Sequence, residues 1–309
     1  MDASANETPG NGWLLAGASG FLGQALADDL RAAGEPVRRL VRGAPSSSDD
    51  VPWDAKTPPP ASVFDGISTV VCLSGVSLQK RWTDSNRLAI LASRVEPTRA
   101  LAEAIAELPA DRRPTLLSQS ASGYYPKNTG RTLTERDAEQ ADGFVPGVVR
   151  QWEAAASAAV EAGARVLFLR TGVVLSPRGG ALQALQIPAK FAVGVPLGSG
   201  RQVMPMVSLP DWIAAVRFLA ERPDIAGPVN ITLPVPATNA ELTAAVNTYL
   251  HRPQPPVVKV PAALLRLVLD GFATELLDSV TIAPQVLTEA GFTFTGADVT
   301  SAVAAAYRS

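Results

Sequence analysis

Apolar positions along the chain follow two alternating rhythms. Short runs of buried type, Trp13-Leu14-Leu15-Ala16, Thr69-Val70-Val71-Cys72-Leu73, Thr115-Leu116-Leu117-Ser118 and Arg165-Val166-Leu167-Phe168-Leu169-Arg170, predict strands enclosed on both faces. Between them the apolar spacing lengthens to three and four. Phe21, Leu22, Ala25, Leu26, Leu30 and Ala33 mark a helix that Gly34 stops; Leu88, Leu91, Val95, Leu101 and Ile105 mark a second over 86–108. An Ala-rich helix is expected over 148–162. Val37 to Arg42 is a further strand candidate, and Gly43 to Pro60, with its serine and proline triplets, reads as loop. Strands alternating with helices predict an α/β fold, a doubly wound parallel sheet covered on both faces.

Past Thr171 the rhythm changes. Residues 176–203 are rich in Gly and Pro and read as a structured excursion. A helix over 210–221 and the strand Val229-Asn230-Ile231-Thr232 return to the sheet. Helices near 239–250, 261–269 and 284–290 predict a smaller C-terminal cap. The expected organisation is a loose tail over 1–11 and a nucleotide-binding unit over 12–175 that 204–233 rejoins. A cap built from 176–203 and 234–309 completes it.

Composition narrows the chemistry. Among 309 residues, 27 Lys and Arg face 29 Asp and Glu, so the net charge is −2. That balance argues against nucleic acid or an anionic membrane as partner. One Cys (Cys72) and one His (His251) cannot assemble a zinc cage, a disulfide framework or a Cys–His protease pair. Cys72 reads as an inert core thiol and His251 as a surface cap after a helix. The polar start and the interrupted apolar runs predict neither a leader nor a membrane span, hence a cytoplasmic protein acting on a small molecule. The sequence leaves its oligomeric state open.

The strongest local signal is Gly17-Ala18-Ser19-Gly20-Phe21-Leu22-Gly23, placed where the first strand meets the first helix. Gly17 permits a tight bend, Gly20 lets backbone N–H groups approach a diphosphate, and Gly23 allows close helix–strand packing. The fold expected is therefore Rossmann-type. An NAD site wants a carboxylate at the end of the second strand; this chain offers Arg38, Arg39 and Arg42, and no acid before Asp49. A guanidinium pairs with a ribose 2′-phosphate where a carboxylate repels it, so NADP(H) is favoured, with Arg42 first and Arg39 second. The plainer alternative is that these arginines merely solvate a strand end.

These features resemble the short-chain dehydrogenase/reductase superfamily. Within it the chain is similar to the extended NAD(P)-dependent epimerase/dehydratase branch, and to an atypical epimerase-like subfamily with a C-terminal domain of unknown function. The similarity runs from about residue 12 to 307. It is carried by the glycine turn, Val51-Pro52-Trp53-Asp54, Leu73-Ser74-Gly75, Arg81-Trp82-Thr83, Ser93-Arg94, Ser118-Gln119-Ser120-Ala121, Gly123-Tyr124-Tyr125 and Trp152-Glu153. Leu169 to Leu175, Leu197-Gly198-Ser199-Gly200, Gly227-Pro228-Val229-Asn230, Glu275-Leu276-Leu277 and Gly291-Phe292 continue it. The resemblance implies that Leu73, Ser74 and Gly75 line the adenosine ribose and diphosphate. It places Ser118 and Ser120 near the nicotinamide, with Ser120 on the reacting oxygen, and Thr171, Gly172 and Val173 at the carboxamide.

One departure is decisive. The superfamily's acid–base pair is a Tyr four residues before a Lys, and no such pair exists here: Asn128, Thr129 and Pro253 follow Tyr124, Tyr125 and Tyr249 at that distance. Counted from Trp152-Glu153, Val145 and Val149 stand in its place. Pro126, Ser208 and Ala16 also depart from the subfamily. Tyr124 is the replacement proton donor, with Arg81 or Lys80 as its cation, unless Tyr124 and Tyr125 plug the cleft or stack on substrate. Arg81 and Trp82 are read as a grip on an anionic substrate, against plain packing for Trp82. Glu135 and Glu153 read as solvated or hydrogen-bonded helix-end groups. Two functions fit: an NADP(H)-dependent, epimerase-like oxidoreductase acting on a small carbonyl, alcohol or sugar nucleotide, or a non-catalytic NADP(H)-binding redox-sensing regulator.

Overall fold

A computed structural model describes residues 10–79, 81–139, 141–179, 182, 194–253 and 259–308. The apolar runs form strands β1 (Gly12–Ala16), β2 (Val37–Val41), β3 (Asp50–Pro52), β4 (Ile67–Cys72), β5 (Thr115–Ala121), β6 (Val166–Thr171) and β7 (Gly227–Ile231). They pair in parallel in the order β7-β6-β5-β4-β1-β2-β3. The winding direction reverses between β1 and β4, and loops leaving opposite sides of such a reversal part to leave a crevice. This is the Rossmann-type sheet that the alternation predicts.

Helices close both faces. On one face α1 (Phe21–Ala32) and α5 (Leu209–Ala220) bury Leu26, Leu30, Trp212 and Val216 against Leu15, Val71, Leu117 and Leu169. On the other, α2 (Asp84–Glu107) and α4 (Ser157–Glu161) bury Leu101, Ile105, Ala156 and Ala159 against Leu14, Val70, Leu116 and Val166. Burying each such Leu, Ile or Val is worth roughly 1.5–3 kcal/mol, which fixes the strand ends that carry the site. Beside α4, α3 (Phe144–Ala154) packs on α2 and β5.

The C-terminal part contributes α6 (Asn239–Tyr249), α7 (Ala262–Leu269), α8 (Phe272–Leu277), α9 (Gln285–Glu289) and α10 (Val299–Arg308). Ala302, Val303 and Ala306 of α10 pack with Leu242, Val246 and Leu175, and Tyr249 stacks on Tyr307 with ring centroids 4.4 Å apart. No described helix is long and apolar enough to cross a membrane.

The elements differ from expectation in several places. β3 lies inside the predicted loop; backbone bonds hold it, from Arg39 N to Asp49 O and from Trp53 N to Val41 O, so no apolar period announces it. The Ala-rich helix starts earlier, at Phe144, and breaks at 155–156 into α3 and α4 with no Gly or Pro to signal the break. Helices α8 and α10 go unpredicted, the second because alanines dilute its apolar stripe. Within the excursion expected over 176–203, residues 180–181 and 183–193 lie outside the described residues.

A buried carboxylate ties the C-terminal segment to the sheet. Ser208 caps α5, and Asp211 accepts the Ser208 hydroxyl (2.7 Å), Thr295 N–H (2.7 Å) and Gly296 N–H (2.9 Å). Asp211→Ala orphans two backbone donors and should cost roughly 3 kcal/mol in urea unfolding. A loss below 1 kcal/mol contradicts this tie.

Candidate functional site

The glycine turn has the geometry its residues require. Gly17 leaves β1 at φ +79°, and a Cβ there falls 2.7 Å from the Leu73 carbonyl carbon and the Ser74 nitrogen. A Cβ on Gly23 meets the Gly17 oxygen at 2.4 Å, so α1 can pass this close to the turn only without a side chain. Gly20 caps α1 without a side-chain acceptor, and the first turn holds no acid. Its leading N–H groups therefore face the crevice with the positive end of the helix dipole. Ser19, Phe21 and Leu22 share this turn, and Gly179 packs against the Phe21 ring.

Leu73, Ser74 and Gly75 leave β4 opposite the turn. Beneath Gly75 lies Arg94, whose guanidinium donates to the Ile90 and Val76 carbonyls (2.9 and 3.1 Å) and stands 5.3 Å over the Trp152 ring. Burial pushes its pKa down to about 10, and no described carboxylate pairs with it. Ser93-Arg94 belongs to the resemblance, but nothing in the sequence assigns this enclosed positive charge a role.

At the end of β2 the arginines divide. Arg38 donates to the Val63 carbonyl (2.5 Å), and Arg39 is held by buried Asp50 (2.7 Å). Burial pushes the Asp50 carboxyl up, but hydrogen bonds from Ser46 and the charge of Arg39 outweigh it and hold the group at about 2. Asp50 thus folds the loop from Ser46 back onto β2, and Arg39, the second candidate for a 2′-phosphate, is spent on it. Arg42 is exposed and has no described partner.

A polar row crosses the carboxyl ends of three strands. Ser120 of β5, Arg170 of β6 and Asn230 of β7 are neighbours in register, on the face that α3 covers. Glu153 of α3 accepts the Ser120 hydroxyl at 2.6 Å and grips Arg170 through two bonds of 2.9 Å. Burial pushes the Arg170 pKa down, but Glu153 overrides this and holds it above the ordinary range. Arg170 also donates to the Tyr125 hydroxyl (3.1 Å), which donates in turn to Asn230 (2.9 Å). Tyr125 is fully buried, and burial pushes its phenol up, so it is a fixed brace.

Tyr124 stands differently. The Arg170 guanidinium lies 3.4 Å from its ring centroid, while its hydroxyl has no described hydrogen-bond partner. The cation beside Tyr124 is therefore Arg170, not Arg81; Lys80 lies outside the described residues. Glu153 is likewise no solvated helix-end group but the hub of a largely buried network, because a charged Arg inside a strand needs a carboxylate. Glu135 takes the hydrogen-bonded alternative: it accepts N–H bonds from Asn230 (2.9 Å) and Val286 (3.3 Å), and burial pushes its carboxyl up.

Several other predicted residues are buried or engaged by bonds of their own. Ser118 is fully buried with its hydroxyl on the Gln119 carbonyl, and the Thr171 hydroxyl lies between Leu169 O and the Trp212 indole. Gly172 sits against Pro205, where a Cβ falls 2.7 Å from the carbonyl, and Val173 N–H bonds the Pro205 oxygen. Trp82 is buried against Phe144 at 4.9 Å, its N–H on the Leu78 carbonyl; Arg81 is exposed. Cys72 is buried beside Thr98, where burial pushes the thiol up, and His251 is exposed at φ 53° after α6.

Comparison with known proteins fits this geometry. Residues 13–232 match the model of the NAD dependent epimerase/dehydratase family, and 260–306 match a domain of unknown function, DUF1731. An epimerase family protein of Mycobacterium bovis is 39% identical over 287 residues, covering 91% of this chain and 92% of that protein. The human epimerase family protein SDR39U1, solved with NADPH, superposes with a TM-score of 0.86 at 26% identity, covering 96% of this chain and 99% of that one. A nucleoside-diphosphate sugar epimerase of Corynebacterium glutamicum gives a TM-score of 0.78 at 32% identity, covering 96% of this chain and 58% of that one.

The hub makes a sharp contrast between two variants. Glu153→Ala strands a buried guanidinium and the Ser120 hydroxyl and should destabilise the chain by about 3–5 kcal/mol in urea unfolding. Glu153→Gln keeps an acceptor for Ser120 and should cost clearly less. Equal, small losses contradict the hub.

Proposed function

Since the chain belongs to the NAD-dependent epimerase/dehydratase family, we propose that it is an NADP(H)-binding, epimerase-like oxidoreductase acting on a small carbonyl, alcohol or sugar-nucleotide substrate. The single observation that carries this reading is Tyr124, a phenol with an unpartnered hydroxyl and a guanidinium against its ring, one turn beyond Ser120. The residues fit the dinucleotide. Gly17, Gly20 and Gly23 leave the space that side chains would fill, and the first N–H groups of α1 take the diphosphate. Leu73, Ser74 and Gly75 line the opposite wall, and the charge of Arg94 below them is one that a bound diphosphate balances. Arg42 takes the 2′-phosphate, and the NADPH of the human relative supports that choice.

When bound, the nicotinamide supplies a hydride donor or acceptor. Tyr124 gives a proton to the substrate oxygen, or takes one from it, and the positive charge of Arg170 beside the ring stabilises the phenolate left behind. Ser120, itself buried, points its own proton at Glu153, so toward a substrate hydroxyl it can act only as an acceptor. Thr171, Gly172 and Val173 form the far wall through backbone atoms. The Tyr–Lys pair is replaced by a Tyr stacked on an Arg from a neighbouring strand. A closed network favours the second reading, a redox-sensing regulator without turnover: Glu153 already satisfies Ser120 and Arg170.

Two measurements test the proposal. Arg42→Ala should weaken NADPH binding about ten- to a hundredfold while leaving NADH binding nearly unchanged; equal losses reject the 2′-phosphate assignment. On a panel of sugar nucleotides, quinones and small carbonyls, NADPH oxidation should appear and fall about 10²–10⁴-fold in Tyr124→Phe at unchanged NADPH affinity. Silence across the panel with tight coenzyme binding selects the regulator instead.

A further inference from the structure

Outside the network lies a cavity of about 590 Å³, walled by the start of α2, the start of α3, the residues that follow Tyr125, and α8. Its volume suits a small organic ligand. Trp82 and Phe144 form an apolar wall, and Tyr124 packs on the same aromatic cluster, so the cavity adjoins the loop that carries the proposed proton donor. Pro126 and Lys127, immediately beyond Tyr125, continue the lining.

The charges of the lining are unevenly paired. Lys127 bonds Glu275 at 2.6 Å and reaches Asp278 at 4.0 Å, and Asp278 also accepts from Asn128 at 3.2 Å. Asp142 stands exposed at the rim. Arg87 is the cation of this lining with no carboxylate partner among the described residues. It is nevertheless held in place: its Nε–H donates to the Trp82 carbonyl at 3.0 Å, and its guanidinium stands 4.8 Å from the Phe144 ring and 5.8 Å from the Trp82 ring. A guanidinium fixed by its Nε and its flat face keeps its two terminal nitrogens as a fork that matches a carboxylate or phosphate.

We propose that Arg87 is the anion-recognition residue of the substrate pocket, and that the substrate is a small hydroxylated compound bearing a carboxylate or phosphate. The Lys127–Glu275 pair and Asp142 supply donors and acceptors for its hydroxyl groups. The grip expected of Arg81 on the Trp82 surface passes to Arg87, in the first turn of α2. Calling the ligand a substrate rests on the oxidoreductase reading; the anion site itself does not.

The test uses the full chain saturated with NADPH and three sugars that differ at one carbon: D-glucose, D-glucuronate and D-glucose 6-phosphate, each titrated by calorimetry. At least one anionic sugar should bind tenfold or more tightly than glucose, and which one does so separates carboxylate from phosphate. Arg87→Met should shrink that advantage below twofold, and Arg87→Lys should restore at least threefold, with NADPH affinity within twofold of the parent in both variants. Equal binding of the three sugars, no binding of either anion, or an advantage that survives Arg87→Met overturns the proposal. An anion preference in a protein that oxidises NADPH with no carbonyl compound supports this site and counts against the redox reading alone.

Discussion

A positive charge in the middle of a parallel sheet has to be answered, and the answer organises this site. Arg170 sits on β6 between β5 and β7, near the carboxyl end of a run that is otherwise apolar from Val166 to Leu169. An uncompensated guanidinium there would cost several kcal/mol, so the fold brings Glu153 down from α3 to meet it with two bonds. Once Glu153 is placed, its remaining acceptor capacity fixes the proton of Ser120. Once Arg170 is placed, its edge braces Tyr125 and its face lies on the Tyr124 ring. One ion pair thereby sets three side chains that share the carboxyl ends of β5 and β6 and the turn beyond.

The same network reaches the C-terminal part. Asn230, the last member of the row, receives Tyr125, bonds the Ala283 carbonyl through its amide, and gives its backbone N–H to Glu135. Glu135 bonds Val286 N–H at the start of α9, Lys127 holds Glu275 of α8, and Thr132–Leu133 pairs with Thr281–Ile282. The loop carrying Tyr124 and Tyr125 is thus stitched to α8 and α9 immediately beyond the two tyrosines. The position of Tyr124 is thereby tied to that of the C-terminal part.

The sheet and the diphosphate turn were legible because local rules govern them: period for strands and helices, and glycine where backbone must approach backbone. The division of labour among Arg38, Arg39 and Arg42 was half legible. The order of preference was readable from position, but Asp50 as the partner of Arg39 depends on β3, an edge strand that backbone bonds alone define. The network around Arg170 was the least legible part, since Ser120, Glu153 and Arg170 meet only through register and the descent of α3. One signal was present all the same. Arg170 closes an apolar run that any reading buries, and a buried arginine demands a carboxylate, which Glu153 supplies from the helix that α4 separates from β6. Tyr124 was singled out for its nearness to Ser120, yet its cation comes from a strand forty-odd residues away in sequence, beyond the reach of spacing arguments.

In the proposed function, the Glu153–Arg170 pair replaces the lysine of the usual pair by holding Ser120 and Tyr124 as one unit. A crystal structure of the NADPH complex tests it most directly. The account predicts an intact Glu153–Arg170 pair, the guanidinium still on the Tyr124 ring, and the Tyr124 hydroxyl opening toward the nicotinamide. A nicotinamide ring lodged away from Tyr124, or Arg170 released from Glu153 to bind the coenzyme, would contradict it.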